Sequence, residues 1–393
     1  TGVPTDYSRA LELLEASALA GDPYGMLAFG LSHWYGDLVK EDLVKAEKYM
    51  RLSLAKGNLN AADNLIRFMF IENTNSSRIE EAFELLEIYA LQTDSNSSNY
   101  FELDGVLQLY IEVHLGVIFE EEARRVGKKL NRKNALSLFV DHPRDNFFLD
   151  VAERLIEDFV PYEFMSEAEF RPALNRLKAI AASKKETKLT QQKVNSILAS
   201  YYGFGTFGLA NMDLALAFRK AAADAGSQVA QSDFAWDLYE NRHETSYKNP
   251  IQMAIQYALK GASGDNDLTR AIALNNIGVF YDDIGDQDKA NEFFRKALEE
   301  AANSDASIAW PSANLLRNHL TQSRESRWDE TAQKYYERAK EEQGSEVVLS
   351  YAGNQNLSYV DWLRTRETEM SYEVFQELGW AEETFGNYKE AYK

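Results

Sequence analysis

The feature that most restricts what this chain can fold into is one helix that recurs every 36 or 37 residues. Asp6 to Ala10, continuing to Ser17 and Gly21, is echoed by Asp42 to Ala46, Ser53 and Gly57, and Ala82 falls 36 residues beyond Ala46. In the second half Ala217, Ala254 and Ala290 follow one another at 37 and 36 residues. Such a period marks a stack of short supersecondary units rather than a single compact core. A length of 393 residues fits that reading, because one core rarely keeps growing to this size.

Within the units the apolar residues fall at i, i+3, i+4, i+7 and i+8. Leu214, Ala217, Phe218, Ala221 and Ala222 form one set, and Ile251, Ala254, Ile255, Ala258 and Leu259 another. This spacing predicts amphipathic helices with one buried stripe. A partner helix rich in aromatic residues and glycine precedes each, as in Ala28-Phe29-Gly30 to Tyr35-Gly36 and Leu198 to Gly203, so the unit is a helix–turn–helix pair. Small residues (Gly30, Ala46, Ala199, Ala217, Gly278, Ala290) are expected where the two helices cross, and glycines past the last turn supply the left-handed stop.

Alanine, Leu-Gly, tyrosine and glycine, followed by Asp-x-x-x-Ala and a closing Ala-x-x-Gly, resemble the Sel1-like repeat of bacterial proteins. The clearest copies span about 6–92 and 192–262. Leu274 to Tyr281, with Gly285-Asp286, Ala290, Phe294 and Ala297, is similar to a plain tetratricopeptide repeat. Leu378-Gly379-Trp380-Ala381 through Ala391 is similar to one that stops early in its second helix. The resemblance implies an all-α fold, a right-handed superhelical solenoid of antiparallel helix pairs. It divides the chain into Sel1-like repeats at 1–96, degenerate helical repeats or a helical insert at 97–190, Sel1-like and tetratricopeptide repeats at 191–343, and an irregular segment with a partial repeat at 344–393. Because terminal repeats normally carry a polar cap, the natural chain is expected to continue past Lys393, or this end to pack on something else.

Charge narrows the partners. With 62 Asp and Glu against 42 Lys and Arg, the net charge of -20 repels phosphate backbones, so nucleic acid is not expected. No run of apolar residues is long enough to insert in a membrane. The absence of cysteine removes disulfides, thiolate metal sites and thiol nucleophiles.

The motifs with catalytic associations read as structure. Gly203-Phe204-Gly205-Thr206-Phe207-Gly208 spells GxGxxG, yet it follows a helix and not a strand, so an inter-helix turn is expected in place of a dinucleotide loop. The histidines, His33, His114, His142, His243 and His319, lack metal-ligand spacing, and His33 is expected to pack. Asp282, Asp283, Asp286 and Asp288 lack the closing Glu of a calcium loop and read as turn residues and helix caps. No nucleophile elbow or P-loop is present, so neither an enzyme nor a cofactor is expected.

The resemblance implies that the first helix of each pair lines a concave groove, with inward positions at i, i+4 and i+7 counted from three residues before Gly278. These are Asn275, Val279 and Asp282, and the same register gives Ser232, Trp236 and Tyr239, with Trp34 in an early copy and Trp380 in the last. Asn275 resembles part of the clamp by which some tetratricopeptide domains hold a terminal carboxylate, but Asp282 and Asp283 stand where basic residues would complete it. The expected function is that of a scaffold or adaptor binding a peptide or protein in the groove. The alternatives are an envelope polysaccharide-secretion scaffold or carbohydrate-binding protein, and a periplasmic regulator of a membrane sensor. The resemblance favours the periplasm or secretion over the cytoplasm.

Overall fold

The computed structural model describes residues 6–72, 75–90, 104–157, 165–205, 207, 210–304, 306–322 and 328–344, with 347–348, 351, 359–360 and 363–364 beyond them. The fold is all-α, and packing divides it into two compact units, Thr1–Lys184 with Ser200–Ala210 and Lys185–Ala199 with Asn211–Lys393. The first unit holds α1 (Tyr7–Leu19), α2 (Pro23–Tyr35), α3 (Leu43–Ala55), α4 (Asn60–Glu72), α5 (Ser76–Ala90), α6 (Asp104–His114), α7 (Glu120–Arg125), α8 (Arg132–Val140), α9 (Asp145–Glu157) and α10 (Glu167–Ala182). Next comes α11 (Lys188–Phe204). The second unit continues with α12 (Met212–Asp224), α13 (Gln228–Glu240), α14 (Pro250–Gly261), α15 (Asp267–Asp283), α16 (Gln287–Ala301), α17 (Ala309–Gln322) and α18 (Glu330–Gln343).

Local chemistry sets where these helices begin. The carboxylates of Asp6, Asp22 and Asp42 accept the backbone N–H three residues on and so start α1, α2 and α3. Asn211, Ser227, Asn266, Asp286 and Asp329 do the same for α12, α13, α15, α16 and α18. Each such cap satisfies an otherwise orphaned donor and is worth about 1 kcal/mol. At the junctions α1–α2 and α12–α13 the chain reverses through Gly21 (φ +89°) and Gly226 (φ +97°), a conformation that costs a side-chain-bearing residue.

The cap also corrects the expected stripe of α12. Counting four residues from Asn211 places Ala215, not Ala217, at the position that Ala46 holds after Asp42 and Ala290 after Asp286. Ala215, Leu216, Ala222 and Ala223 are buried, while Leu214 and Ala217 face solvent. The stripe of α14 falls as expected through Ala254, Ile255 and Ala258, although Leu259 is exposed.

Two glycines set the closest helix approaches. A Cβ on Gly30 would stand 3.1 Å from the Ala46 carbonyl of α3, and one on Gly278 would intrude on the Phe294 ring of α16. The rest of the packing in the second unit is aromatic and alanine-rich, with Phe234, Phe280 and Phe294 fully buried. Burying a side chain of this kind contributes about 1.5–3 kcal/mol. From α12 to α18 consecutive helices pack on each other, and α15 also touches both α13 and α17, so the first helices of three successive pairs form one face.

Several residues singled out in the sequence have defined places in the fold. Gly205 takes φ +68° directly after α11 ends at Phe204, so GxGxxG begins as a helix end with no strand before it. His33 is buried edge-on to Phe29 at 4.7 Å between centroids. Asp286 caps α16, Asp283 meets Arg242 at 3.3 Å, and Asp282 meets Arg317. Among the described residues no three His, Asp or Glu side chains gather as a cation site, and no helix is long and apolar enough to cross a membrane.

Candidate functional site

The α13–α15–α17 face of the second unit encloses a cavity of about 520 Å³. Trp236 comes from α13, and Leu268, Ala271, Ile272, Asn275, Asn276 and Val279 from α15. The turn before α17 gives Ala306 and Ser307, and α17 gives Trp310, Pro311 and Asn314, with Tyr351 closing one end. Its size lies in the range of ligand sites, and its walls are aromatic and aliphatic with a few amides. None of the described lining residues carries a formal charge. At the mouth Trp310 is 42% exposed and Ile272 46% exposed. The indole of Trp310 stands edge-on to Tyr351 with centroids 5.7 Å apart.

A relay of hydrogen bonds runs along one end. Arg317 Nη1 donates to the Tyr351 hydroxyl at 3.0 Å, that hydroxyl donates to Asn314 Oδ1 at 2.6 Å, and Asn314 Nδ2 donates to Asn275 Oδ1 at 3.1 Å. Behind it Arg317 Nη2 pairs with Asp282 Oδ2 at 2.5 Å, and Gln287 donates to the other Asp282 oxygen at 2.7 Å. The burial of Tyr351 pushes its phenol above the ordinary range, so it stays a neutral donor. Asn276 stands apart. It is only 8% exposed, borders the cavity, and its side chain makes no hydrogen bond among the described residues. A buried amide in that position is a donor and acceptor left open to whatever enters.

No family model matches the chain, and no curated protein matches it. Solved structures to which the chain is similar include two. One is a Sel1 repeat protein from Oxalobacter formigenes, 15% identical, covering 76% of this chain and 79% of its own, with a TM-score of 0.36. The other is c5321, a protective antigen present in uropathogenic Escherichia coli strains and displaying an SLR fold. It is 16% identical, covers 95% and 94% of the two chains, and has a TM-score of 0.33. The chain resembles Sel1-like repeat proteins.

In the Sel1-like register read from the sequence, the inward positions have separate fates. Trp236, Asn275 and Val279 line one cavity. Asp282, one turn beyond, is engaged by Arg317 and Gln287. Tyr239 does not line the cavity, because it packs on Phe280 at 4.8 Å with the Arg242 guanidinium 4.2 Å from its ring. Two positions are buried. Ser232, 3% exposed, is buried where Gly261 of α14 comes close to α13. Trp34, 7% exposed, stacks on Tyr35 and donates its indole N–H to Glu72 of α4 at 2.8 Å, so it joins helices instead of facing a groove. Trp380 lies outside the described residues.

The register also reaches residues that sequence reasoning passed over. Trp310, Asn314 and Arg317 of α17 repeat the i, i+4, i+7 spacing of Asn275, Val279 and Asp282. That spacing was the available signal. It was missed because α17 lacks the glycine that anchors the register in α15 at Gly278.

Proposed function

We propose that the protein is a non-catalytic interaction scaffold and that the α13–α15–α17 cavity holds a segment of a partner protein. The observation that supports this is Asn276, a residue 8% exposed whose side chain makes no hydrogen bond among the described residues, set among aromatic and aliphatic walls. Such walls accept apolar side chains, and the amide accepts or donates to a peptide backbone. The described lining residues include no His, Asp, Glu or Lys to move a proton and no base beside a hydroxyl to make a nucleophile, which favours holding over catalysis. Helices fix these side chains before the partner arrives, which lowers the ordering cost of binding.

The experiment is cross-linking with mass spectrometry in native extract, comparing wild type with Trp236→Ala/Trp310→Ala. Cross-links to a protein that form with wild type and disappear in the variant support the reading. Equal recovery from both, or capture of a glycan in place of a protein, overturns it.

A further inference from the structure

The carboxylate of Asp282 is spent twice, on Arg317 and on Gln287. Arg317 in turn reaches the edge of the cavity, since it donates to Tyr351 and lies 4.9 Å from that ring. Resting on the partner-binding reading above, we infer that Asp282 is a specificity residue: by neutralising Arg317 it makes the cavity select an uncharged internal stretch of peptide with an aliphatic side chain and refuse a free carboxylate.

The charge balance around the cavity supports this. A carboxylate entering it would lose its hydration among Trp236, Ile272, Val279 and Trp310 and meet no cation among the described lining residues. Arg242, just past the end of α13, is held by Asp283 at 3.3 Å, and Arg270 of α15 by Asp267 and Glu300. The net charge of -20 adds repulsion toward any anion. A backbone amide enters on better terms. Its carbonyl meets amide donors and its N–H meets an amide acceptor at Asn276, while the Arg317–Tyr351–Asn314–Asn275 relay holds the adjoining amides in place. The aliphatic walls distinguish such a segment from a sugar, whose hydroxyls would need more polar partners than three amides, Ser307 and Tyr351 provide.

The test uses the full chain and two probes, N-acetyl-Leu-Ile-methylamide and the free acid N-acetyl-Leu-Ile, titrated by calorimetry and tryptophan fluorescence. Wild type is expected to bind the neutral probe about tenfold or more tighter than the acid, the size of one charge-assisted hydrogen bond. Asp282→Asn keeps the shape and frees the guanidinium charge, so it should bind the acid about tenfold more tightly and the neutral probe within about twofold. Adding Arg317→Gln should abolish that gain. Neutral-probe binding with no discrimination in wild type, or an unchanged ratio in Asp282→Asn, overturns the role of Asp282 and leaves the cavity as a binding site. Failure of wild type to bind either probe overturns the cavity reading itself. Should Asp282→Asn fail to fold, Asp282→Ser takes its place with the same expected gain for the acid, and an unchanged ratio there overturns the role of Asp282.

Discussion

His114 gives the first unit a built-in sensitivity to acid. Its imidazole is 1% exposed, lies 4.1 Å from the Tyr110 ring, and accepts the backbone N–H of Asn131 at Nδ1 over 2.8 Å. Asn131 is also the residue whose side chain caps α8, so protonation of Nδ1 would set two donors against each other where that helix begins. Burial pulls the imidazole down to about 4, with Lys128 assisting and Glu87 opposing. Between pH 6.5 and 4 the unfolded chain takes up a proton that the folded chain refuses, so stability falls as pH drops through this window and levels off below it. The gap corresponds to about 3 kcal/mol, and at its steepest to about 1.4 kcal/mol per pH unit. Hydrogen exchange of peptides from α6 and α8, compared between wild type and His114→Gln at each pH, isolates this contribution because other titrating groups are common to both. Wild type should be the more stable at pH 7 and lose about 3 kcal/mol of that advantage by pH 4. A difference that stays constant over this range would refute the reasoning.

Four further outcomes are expected. Arg132 and Ser166 hold the Glu169 carboxyl down to about 2, in a capping box at the start of α10. Its contribution, about 1 kcal/mol once solvent screening is allowed for, should be present above pH 4.5 and vanish as pH falls toward 2, measured as the exchange difference between wild type and Glu169→Gln. Gly278→Ala should lower the thermal midpoint through a loss of about 1–3 kcal/mol, because the added methyl meets the Phe294 ring. Asn211→Ala should cost about 1 kcal/mol at α12 and raise exchange in its first turn. Trp310→Ala should weaken the neutral peptide probe by about tenfold while leaving the helical circular dichroism unchanged, since this indole is exposed at the cavity mouth.

The helices were legible because their signals are local. Asp6, Asp42 and Asp286 announce helix starts, and the alanine recurrence sets the pairing. The error at α12 came from aligning Ala217 by spacing alone. An N-cap restarts the count, and Asn211 moves the buried face to Ala215. The site was only half legible. Trp236, Asn275 and Val279 follow from one register, but burial of Trp34 depends on Glu72, 38 residues away, and that of Ser232 on the close passage of α14. Asp282 looked from the sequence like a missing cation, because the guanidinium that answers it arrives from Arg317, 35 residues later. Periodicity reports which face a residue occupies, and the neighbouring pair decides what covers it.

The bonds between neighbouring pairs have short reach along the chain. Arg176 meets Asp145 across 31 residues, Trp34 meets Glu72 across 38, and Ser200 meets Glu157 across 43. A chain leaving the ribosome could therefore settle each pair against its predecessor soon after the next forty or so residues emerge, with no need to wait for a distant strand or terminus. Synthesis and folding would advance at nearly the same pace, and a stalled or damaged pair would leave those already made intact.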